Sequence, residues 1–185
     1  MLNNSKEASI ASIPFFKKLP AQDLIAILGI TVNKKIEAGE NLFSENDTSD
    51  GLYIVLSGKL QVYIFSGFVG GLPKVLAEIL PGQYVGEMGL IDGQKRSASV
   101  KALQTSEVIF LPTVGFAVLL ESHPHIAEEV INTLCDMINK QSGLVIKSDV
   151  ADLIKNKRVQ PTLSNMKVLC GILREHNKKI AIKSR

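Results

Sequence analysis

The spacing of hydrophobic residues changes twice along the chain, and each change marks a change of predicted element. Within the first 31 residues, Leu24, Ile27 and Leu28 recur at helical spacing, which predicts a helical segment. Over 32–113 the apolar runs are short and bounded by turn residues, as is typical of strands. Helical spacing returns after Pro112. We therefore divide the chain into an N-terminal helical segment 1–31, a β region 32–113, C-terminal helices 114–160 and a basic helical tail 161–185.

The middle region consists of short apolar runs separated by turns that mostly contain glycine. Glycine suits tight corners because it adopts positive φ without steric cost. Many short strands at nearly regular spacing predict a mainly β fold, an antiparallel β-roll of the jelly-roll type with flanking helices. The predicted strands are 52–56, 60–65, 74–80, 98–102 and 107–111, and the predicted turns include 38–40, 57–59, 70–73 and 81–82.

Helices follow the predicted roll. A short helix spans 114–122, and His123-Pro124 then opens a long amphipathic helix whose pattern Gly143 interrupts. The apolar side of this helix, taken over 124–157, suits a homodimer and suits the chain's own core equally well. The residues of this apolar side are Ile126, Val130, Ile131, Leu134, Ile138 and Val145. A last helix is predicted over 164–176, and its apolar face consists of Met166, Val168, Leu169 and Leu173.

Charge is distributed unevenly between the body of the chain and its C-terminal end. Residues 1–140 hold 11 Lys and Arg against 15 Asp and Glu, a balance of −4, whereas residues 141–185 hold 10 against 3, a balance of +7. The basic segment is therefore the candidate output, in contact with an acidic effector protein, a nucleic acid or a membrane surface. For DNA, we favour a solvated basic tail over binding.

Composition narrows the class of protein. Hydrophobic residues make up 45% of the chain, enough for a packed core, and aromatic residues only 5%, too few for stacking along single-stranded nucleic acid. Cys135 and Cys170 lie in predicted helices without a CxxC pattern, so we expect buried thiols and no metal. The chain shows neither a signal-peptide pattern nor an apolar run that could span a bilayer, which predicts a soluble cytoplasmic protein.

The segment 81–100 departs from plain alternation of strand and turn. Residues 87–91 have the length of one helical turn, whose first N–H groups would form an anion site. Arg96 supplies a two-pronged donor suited to phosphate oxygens, and Ser97 adds a hydroxyl. The carboxylate of Glu87 fits beside an anion if it accepts a hydrogen bond from a sugar hydroxyl. Equally, Glu87 would stabilise a helix N-terminus and Ser97 would complete a turn.

These residues resemble the phosphate-binding cassette of the cyclic-nucleotide-binding domain family, which includes the bacterial catabolite activator proteins and the regulatory subunits of the cAMP-dependent kinase. The family pattern is a Gly-Glu pair, a short helix and an arginine followed by a small residue, and this chain has Gly86-Glu87 and Arg96-Ser97. The resemblance covers roughly residues 15–145. It extends through Ala38-Gly39-Glu40, the run 52–58, Pro81-Gly82-Gln83 and His123-Pro124.

The resemblance implies a regulatory ligand, cAMP or cGMP, and a role for each residue of the site. Backbone amides approach the ligand, Glu87 accepts from the ribose 2′-hydroxyl, and Arg96 binds the exocyclic phosphate oxygens. In the catabolite-activator branch, two polar residues of the long helix contact the base. The implied binding residues are Gly86, Glu87, Met88, Arg96, Ser97, Gln141 and Ser142.

Two positions depart mildly from the family pattern. Val85 stands where many members have Phe or Ile, and Asn46 replaces a glycine in the turn before Asp47. Asparagine tolerates the left-handed conformation that such a turn requires, so neither change removes the expected site.

Three rival functions fit less of the pattern. A catabolite-activator-like transcription regulator needs a DNA-reading domain, but only 43 residues follow Ser142, without a clear helix-turn-helix pair. A metal-dependent enzyme on a β-roll needs histidines in strands, and the three histidines lie elsewhere. A degenerate roll that binds nothing would not explain Glu87 and Arg96. We therefore expect a non-enzymatic sensor module that couples nucleotide binding to movement of its C-terminal helix and basic tail, with an unknown effector protein as partner.

Overall fold

The computed structural model describes residues 2–65, 72–141 and 159–183. Helices precede, interrupt and follow one antiparallel sheet. The helices are α1 (Leu2–Ala11), α2 (Ala21–Gly29), α3 (Glu87–Asp92), α4 (Thr113–Ser122), α5 (Pro124–Asn139) and α6 (Leu163–Lys183). The strands are β1 (Val32–Ile36), β2 (Asn41–Phe43), β3 (Gly51–Phe65), β4 (Pro73–Ile79), β5 (Tyr84–Val85) and β6 (Ser99–Pro112).

The predicted antiparallel roll with flanking helices is confirmed. The strand order is β1-β6-β3-β4, with β2 added to β6 and β5 added to β3. β3 and β6 form the centre, paired from Gly51 opposite Pro112 to Tyr63 opposite Ser99. β5 pairs with β3 at Tyr53 and Ile54, and α3 begins two residues after β5. The short helix is therefore fixed against the middle of the sheet.

Two hydrophobic cores hold the molecule together. One lies inside the roll and includes Tyr53, Leu60 and Val100. The other lies between the roll and the helices, where Phe116 of α4 and Leu173 of α6 belong to the same buried cluster. Burying a large apolar side chain stabilises a fold by roughly 1.5–3 kcal/mol, so α6 is a packed part of this second core.

The two central strands are longer than the sequence predicts. β3 runs through residues 57–59, where a turn was expected, because Gly58 forms a bulge and not a reversal. Gly58 has φ of +88°, the pairing register with β6 shifts around it, and the Lys59 N–H donates to Ser106 Oγ at 3.1 Å. A glycine with positive φ is typical of one class of β-bulge, and β6 likewise continues through 103–106.

The long helix is shorter than predicted. α5 ends at Asn139, where the Gln141 N–H bonds to Ile138 O at 3.0 Å in the tighter spacing that often closes a helix; residues 142–158 lie outside the described part. Ile131, Leu134 and Ile138 are buried in the chain's own core. A homodimer through the 124–157 helix stays a prediction, and it would need side chains other than these three.

The last helix is longer than predicted and begins one residue earlier. Met166, Leu169 and Leu173 are buried as expected, whereas Val168 is 58% exposed because it lies on the opposite side of α6. Within residues 2–65, 72–141 and 159–183, no helix combines the length and hydrophobicity that crossing a membrane requires.

Candidate functional site

The short helix α3 begins at a position that only glycine can occupy without strain. Gly86, its N-cap, has φ of +90°, a conformation that side chains rarely adopt. A side chain there would also collide with Nη1 of Arg96 and lie 3.0 Å from the carbonyl oxygen of Gly51. The Leu90 N–H bonds to Gly86 O at 3.2 Å, so the helical turn closes immediately after this corner. Its first N–H groups have no partner within the helix itself.

A cavity of about 210 Å³ opens beside α3. Five of the predicted site residues line it together: Gly86, Glu87, Met88, Arg96 and Ser97. Its volume is below the ~300 Å³ at which small-molecule sites usually begin. A second cavity of about 670 Å³ also has Arg96 and Ser97 in its wall.

Arg96 is the buried cation of the cavity, with only 5% of its surface exposed. Nη2 donates to Asp50 Oδ1 at 2.6 Å and to the carbonyl oxygen of Gly51 at 2.8 Å. Nε and Nη1 are shielded from solvent and have no hydrogen-bond partner among the described residues. Leaving a buried donor unpaired costs about 1–3 kcal/mol, and more for a charged group. Arg96 can therefore still donate to an anion.

An aromatic stack supports the guanidinium of Arg96. Its Cζ lies 4.0 Å from the centre of the Phe43 ring, Phe43 packs on Tyr53 with ring centres 5.8 Å apart, and the Tyr53 hydroxyl donates to Asp50 Oδ2 at 2.8 Å. Burial, and then the hydrogen bond to Asp50, raise the pKa of Tyr53. The phenol thus stays protonated and keeps Asp50 oriented toward Arg96.

The main chain of Arg96 is fixed as well. The Asn46 N–H donates to Arg96 O and the Arg96 N–H donates to Asp47 O, both at 2.9 Å. Asn46 has φ of +69°, so asparagine does adopt the left-handed conformation expected at this turn. The turn and the arginine consequently form one rigid unit.

The remaining predicted residues of the segment differ in exposure. Glu87 and Met88 are half-buried, and Ser97 is exposed. The negative charge of Glu87 adds to the effect of burial in raising the pKa of Tyr84. Glu87 is thus a carboxylate at the wall of the cavity, as an acceptor for a ligand hydroxyl must be.

Of the two predicted base contacts, Gln141 is not brought to this cavity, and the contact of Ser142 stays a prediction. Gln141 follows the end of α5 and is absent from the cavity wall, and Ser142 lies outside the described residues. Arg174 of α6 lines the cavity instead. Its Nε donates to Asp92 Oδ2 at 2.6 Å and its Nη2 to Asp92 Oδ1 at 3.0 Å.

The ion pair of Arg174 and Asp92 joins the C-terminal helix to the end of α3. Asp92 is the last residue of α3, and its side chain is buried. Two parallel N–H···O bonds from one guanidinium to a carboxylate fix direction as well as distance. The pair spans 82 residues of sequence, so no local pattern indicated it, and sequence reasoning also missed Phe43 and Asp50.

Residues 33–123 match the family model of the cyclic nucleotide-binding domain. The chain is similar to a cyclic nucleotide-gated potassium channel of Rhizobium etli, with 30% identity over 124 residues that cover 67% of this chain and 33% of the channel. It is also similar to the cyclic AMP receptor protein of Thermus thermophilus, with 30% identity over 117 residues that cover 63% of this chain and 53% of that protein. The matched part therefore spans about a third to a half of these relatives.

Among solved structures, the fold is similar to that of the N-terminal domain of a transcriptional regulator from Streptomyces coelicolor A3(2). The TM-score is 0.69 at 24% identity, over 76% of this chain and 98% of that chain. The roll, the glycine corner at the start of α3 and the buried arginine all fall within or beside the matched residues. On these grounds residues 33–123 belong to the cyclic nucleotide-binding domain family.

Proposed function

We propose that the cavity beside α3 binds one cyclic nucleotide, cAMP or cGMP, as a regulatory ligand. The observation that carries the proposal is the buried guanidinium of Arg96, whose Nε and Nη1 are without partners among the described residues. The phosphate lies against Arg96, Ser97 and the first amides of α3, and Glu87 accepts a hydrogen bond from the ribose hydroxyl.

The charges around the cavity favour a ligand with a single negative charge. Arg96 is paired with Asp50, and Arg174 is paired with Asp92. Glu87 adds a negative charge, which Lys95 offsets at the exposed rim. Because these charges balance, little net attraction offsets the cost of taking a charged ligand out of water, and that cost rises with the charge. A phosphate monoester, with about −1.5 to −2 at neutral pH, is therefore disfavoured relative to a cyclic phosphodiester, which carries one charge. The same balance disfavours a nucleoside triphosphate.

Titration calorimetry with cAMP and with cGMP tests the proposed ligand. We expect Arg96→Ala to weaken the binding of whichever nucleotide the wild type prefers by about 10- to 100-fold, because a charged hydrogen bond to phosphate is lost. Arg96→Lys should recover only part of that loss, since an ammonium lacks the planar fork.

Lys17→Ala is the matched control, because it removes one positive charge from an exposed position and should bind as the wild type does. Absence of binding heat from both nucleotides with the wild-type protein would refute the proposed ligand, and equal affinity in the wild type and both Arg96 variants would refute the role of Arg96.

The nucleotide signal passes to α6 through Asp92 and Arg174. The phosphate binds the first turn of α3, and Asp92 is the last residue of the same helix. Arg174 of α6 is hydrogen-bonded to the Asp92 carboxylate. Because α3 has only six residues, a shift at one end moves the other. Helix α6, which forms most of the basic segment 161–185, is therefore both the two-state element that the ligand biases and the part that carries the output.

The thiol of Cys170 reports on this coupling. Cys170 is buried in α6, and burial, helped by the charge of Asp92, raises its pKa to about 12. In a Cys135→Ala background, nucleotide should slow the labelling of Cys170 by a thiol reagent several-fold. Asp92→Asn should speed labelling and abolish that ligand effect while the nucleotide still binds.

Cys135, labelled in the reciprocal Cys170→Ala background, provides the control for global unfolding because it is buried in α5. Asp92→Asn should leave the labelling of Cys135 nearly unchanged. An identical ligand effect on Cys170 with and without Asp92→Asn would disprove the proposed path.

A further inference from the structure

We propose that Ser49 is a further ligand-contacting residue, whose hydroxyl donates a hydrogen bond to one of the two exocyclic oxygens of the phosphate. The inference rests on the proposed binding of a cyclic nucleotide and adds a specificity-determining residue to that site. Ser49 lies before β3, 47 positions from Arg96 in the sequence, and lines the same cavity as Gly86, Glu87 and Arg96.

The hydroxyl of Ser49 is buried, and no described residue forms a hydrogen bond with it. Ser49 is only 6% exposed, and its Oγ is shielded from solvent and has no hydrogen-bond partner among the residues described. Buried polar side chains in folded proteins are paired in the large majority of cases. An unpaired hydroxyl in the wall of a cavity is therefore a donor that an incoming ligand can satisfy.

Gly89 leaves the space that this hydroxyl occupies. A Cβ on residue 89 would collide with Ser49 Oγ, and the same point lies 3.5 Å from Arg96 Nη1. Gly89 is inside α3 and has no positive φ, so its backbone conformation does not require glycine. The missing side chain instead lets two unpaired donors, Ser49 Oγ and Arg96 Nη1, approach the same turn of α3.

The segment that carries Ser49 is the segment that positions Arg96. Asn46 and Asp47 pair with the main chain of Arg96, and Asp50 and Gly51 accept from its Nη2. Ser49 lies between these two pairs of contacts. Its hydroxyl is consequently held at a fixed place relative to the guanidinium, and the two groups can donate to adjacent oxygens of one phosphate.

A serine at this place adds a hydrogen-bond donor for one of the two exocyclic oxygens without changing the charge of the site. A hydrogen bond from a neutral hydroxyl to a charged phosphate oxygen is stronger than one between two neutral groups, so we expect Ser49→Ala to weaken binding of the preferred nucleotide by about tenfold. Removing a buried hydroxyl that has no partner should not lower the melting temperature. A hydroxyl needed for the fold would show the opposite, a clear drop in stability.

Phosphorothioate analogues identify the oxygen that Ser49 contacts. In the Sp and Rp diastereomers of the nucleotide that the wild type binds, sulfur, a weak acceptor, replaces one or the other exocyclic oxygen. Calorimetry should show that Ser49→Ala weakens one diastereomer by the same factor as the natural nucleotide and leaves the other nearly unchanged. Thr48→Ala, at an exposed neighbouring position, should leave all three affinities as in the wild type.

Each remaining outcome overturns the assignment. Unchanged affinity of Ser49→Ala for the natural nucleotide removes Ser49 from the site while the proposed function stands. Equal losses for both diastereomers mean that Ser49 acts through Arg96 and does not touch the ligand. A wild-type protein that binds neither cAMP nor cGMP overturns the proposed function, and the Ser49 contact with it.

Discussion

At the scale of single residues, the hydrogen bonds that Arg96 makes to the described residues use only one of its three guanidinium nitrogens. Nη2 serves both Asp50 and Gly51, and the Phe43 ring packs against the guanidinium. A long side chain that is already fixed loses little rotamer freedom when a ligand arrives. The free energy of the new hydrogen bonds is then available for affinity.

Substituting Gly89 should change nucleotide affinity much more than the stability of the fold. Gly89→Ala should favour α3 by up to ~1 kcal/mol through helix propensity, while its methyl group displaces Ser49 Oγ and approaches Arg96 Nη1. We expect the melting temperature to change by only a few degrees and nucleotide affinity to fall by about tenfold or more, measured by thermal unfolding and calorimetry.

Gly29→Ala is the matched comparison, because this glycine also lies in a helix, α2, and a Cβ there meets nothing within 4 Å. Its affinity should equal that of the wild type. Wild-type affinity in Gly89→Ala would show that the space beside this glycine has no part in binding.

At the scale of elements, the sequence predicts what depends on near neighbours and misses what depends on distant ones. The roll and the one-turn helix α3 follow from local spacing, and the five cavity residues of segment 81–100 follow from the local residue types together with the resemblance to the family's phosphate-binding cassette. Gly58 shows the limit of local patterns, because a glycine between two apolar runs is compatible with a turn and with a bulge. The hydrogen bond from the Lys59 N–H to Ser106 Oγ, which accompanies the bulge, joins residues 47 positions apart.

The residues that complete the site come from elements far apart in the sequence. Phe43 ends β2, Ser49 precedes β3 and Arg174 belongs to α6, and all three reach the cavity through tertiary packing. Helical spacing predicts that α6 exists and which side is apolar. It does not indicate that the side bearing Arg174 meets α3, since that depends on how the helices pack in the shared core.

At the scale of the whole molecule, the buried Cys170 thiol and Tyr53 phenol predict a loss of stability at alkaline pH. Burial, with the nearby Asp92 charge, raises the pKa of Cys170 to about 12, whereas an unfolded thiol titrates near ~8.5. Above that pH the unfolded chain binds fewer protons than the folded one, so the free energy of unfolding falls as pH rises toward 12. The slope approaches ~1.4 kcal/mol per pH unit for one group.

Urea unfolding at several pH values between 8 and 10 measures this slope. Tyr53, whose pKa is also raised, contributes in the same direction only near and above ~10, where an unfolded tyrosine titrates. Cys170→Ala should therefore show a shallower decline than the wild type below pH 10. Parallel declines in the two proteins would contradict the assignment to Cys170.

The ion pair between Asp92 and Arg174 has a consequence for whatever binds the tail. If the nucleotide changes the affinity of α6 for a partner protein, then that partner must change nucleotide affinity by the same factor, because the two binding equilibria share one coupling free energy. The tail's partner would then be an effector as much as a target. At a constant nucleotide concentration, the amount of that partner in the cell would itself set how many of these sites are filled.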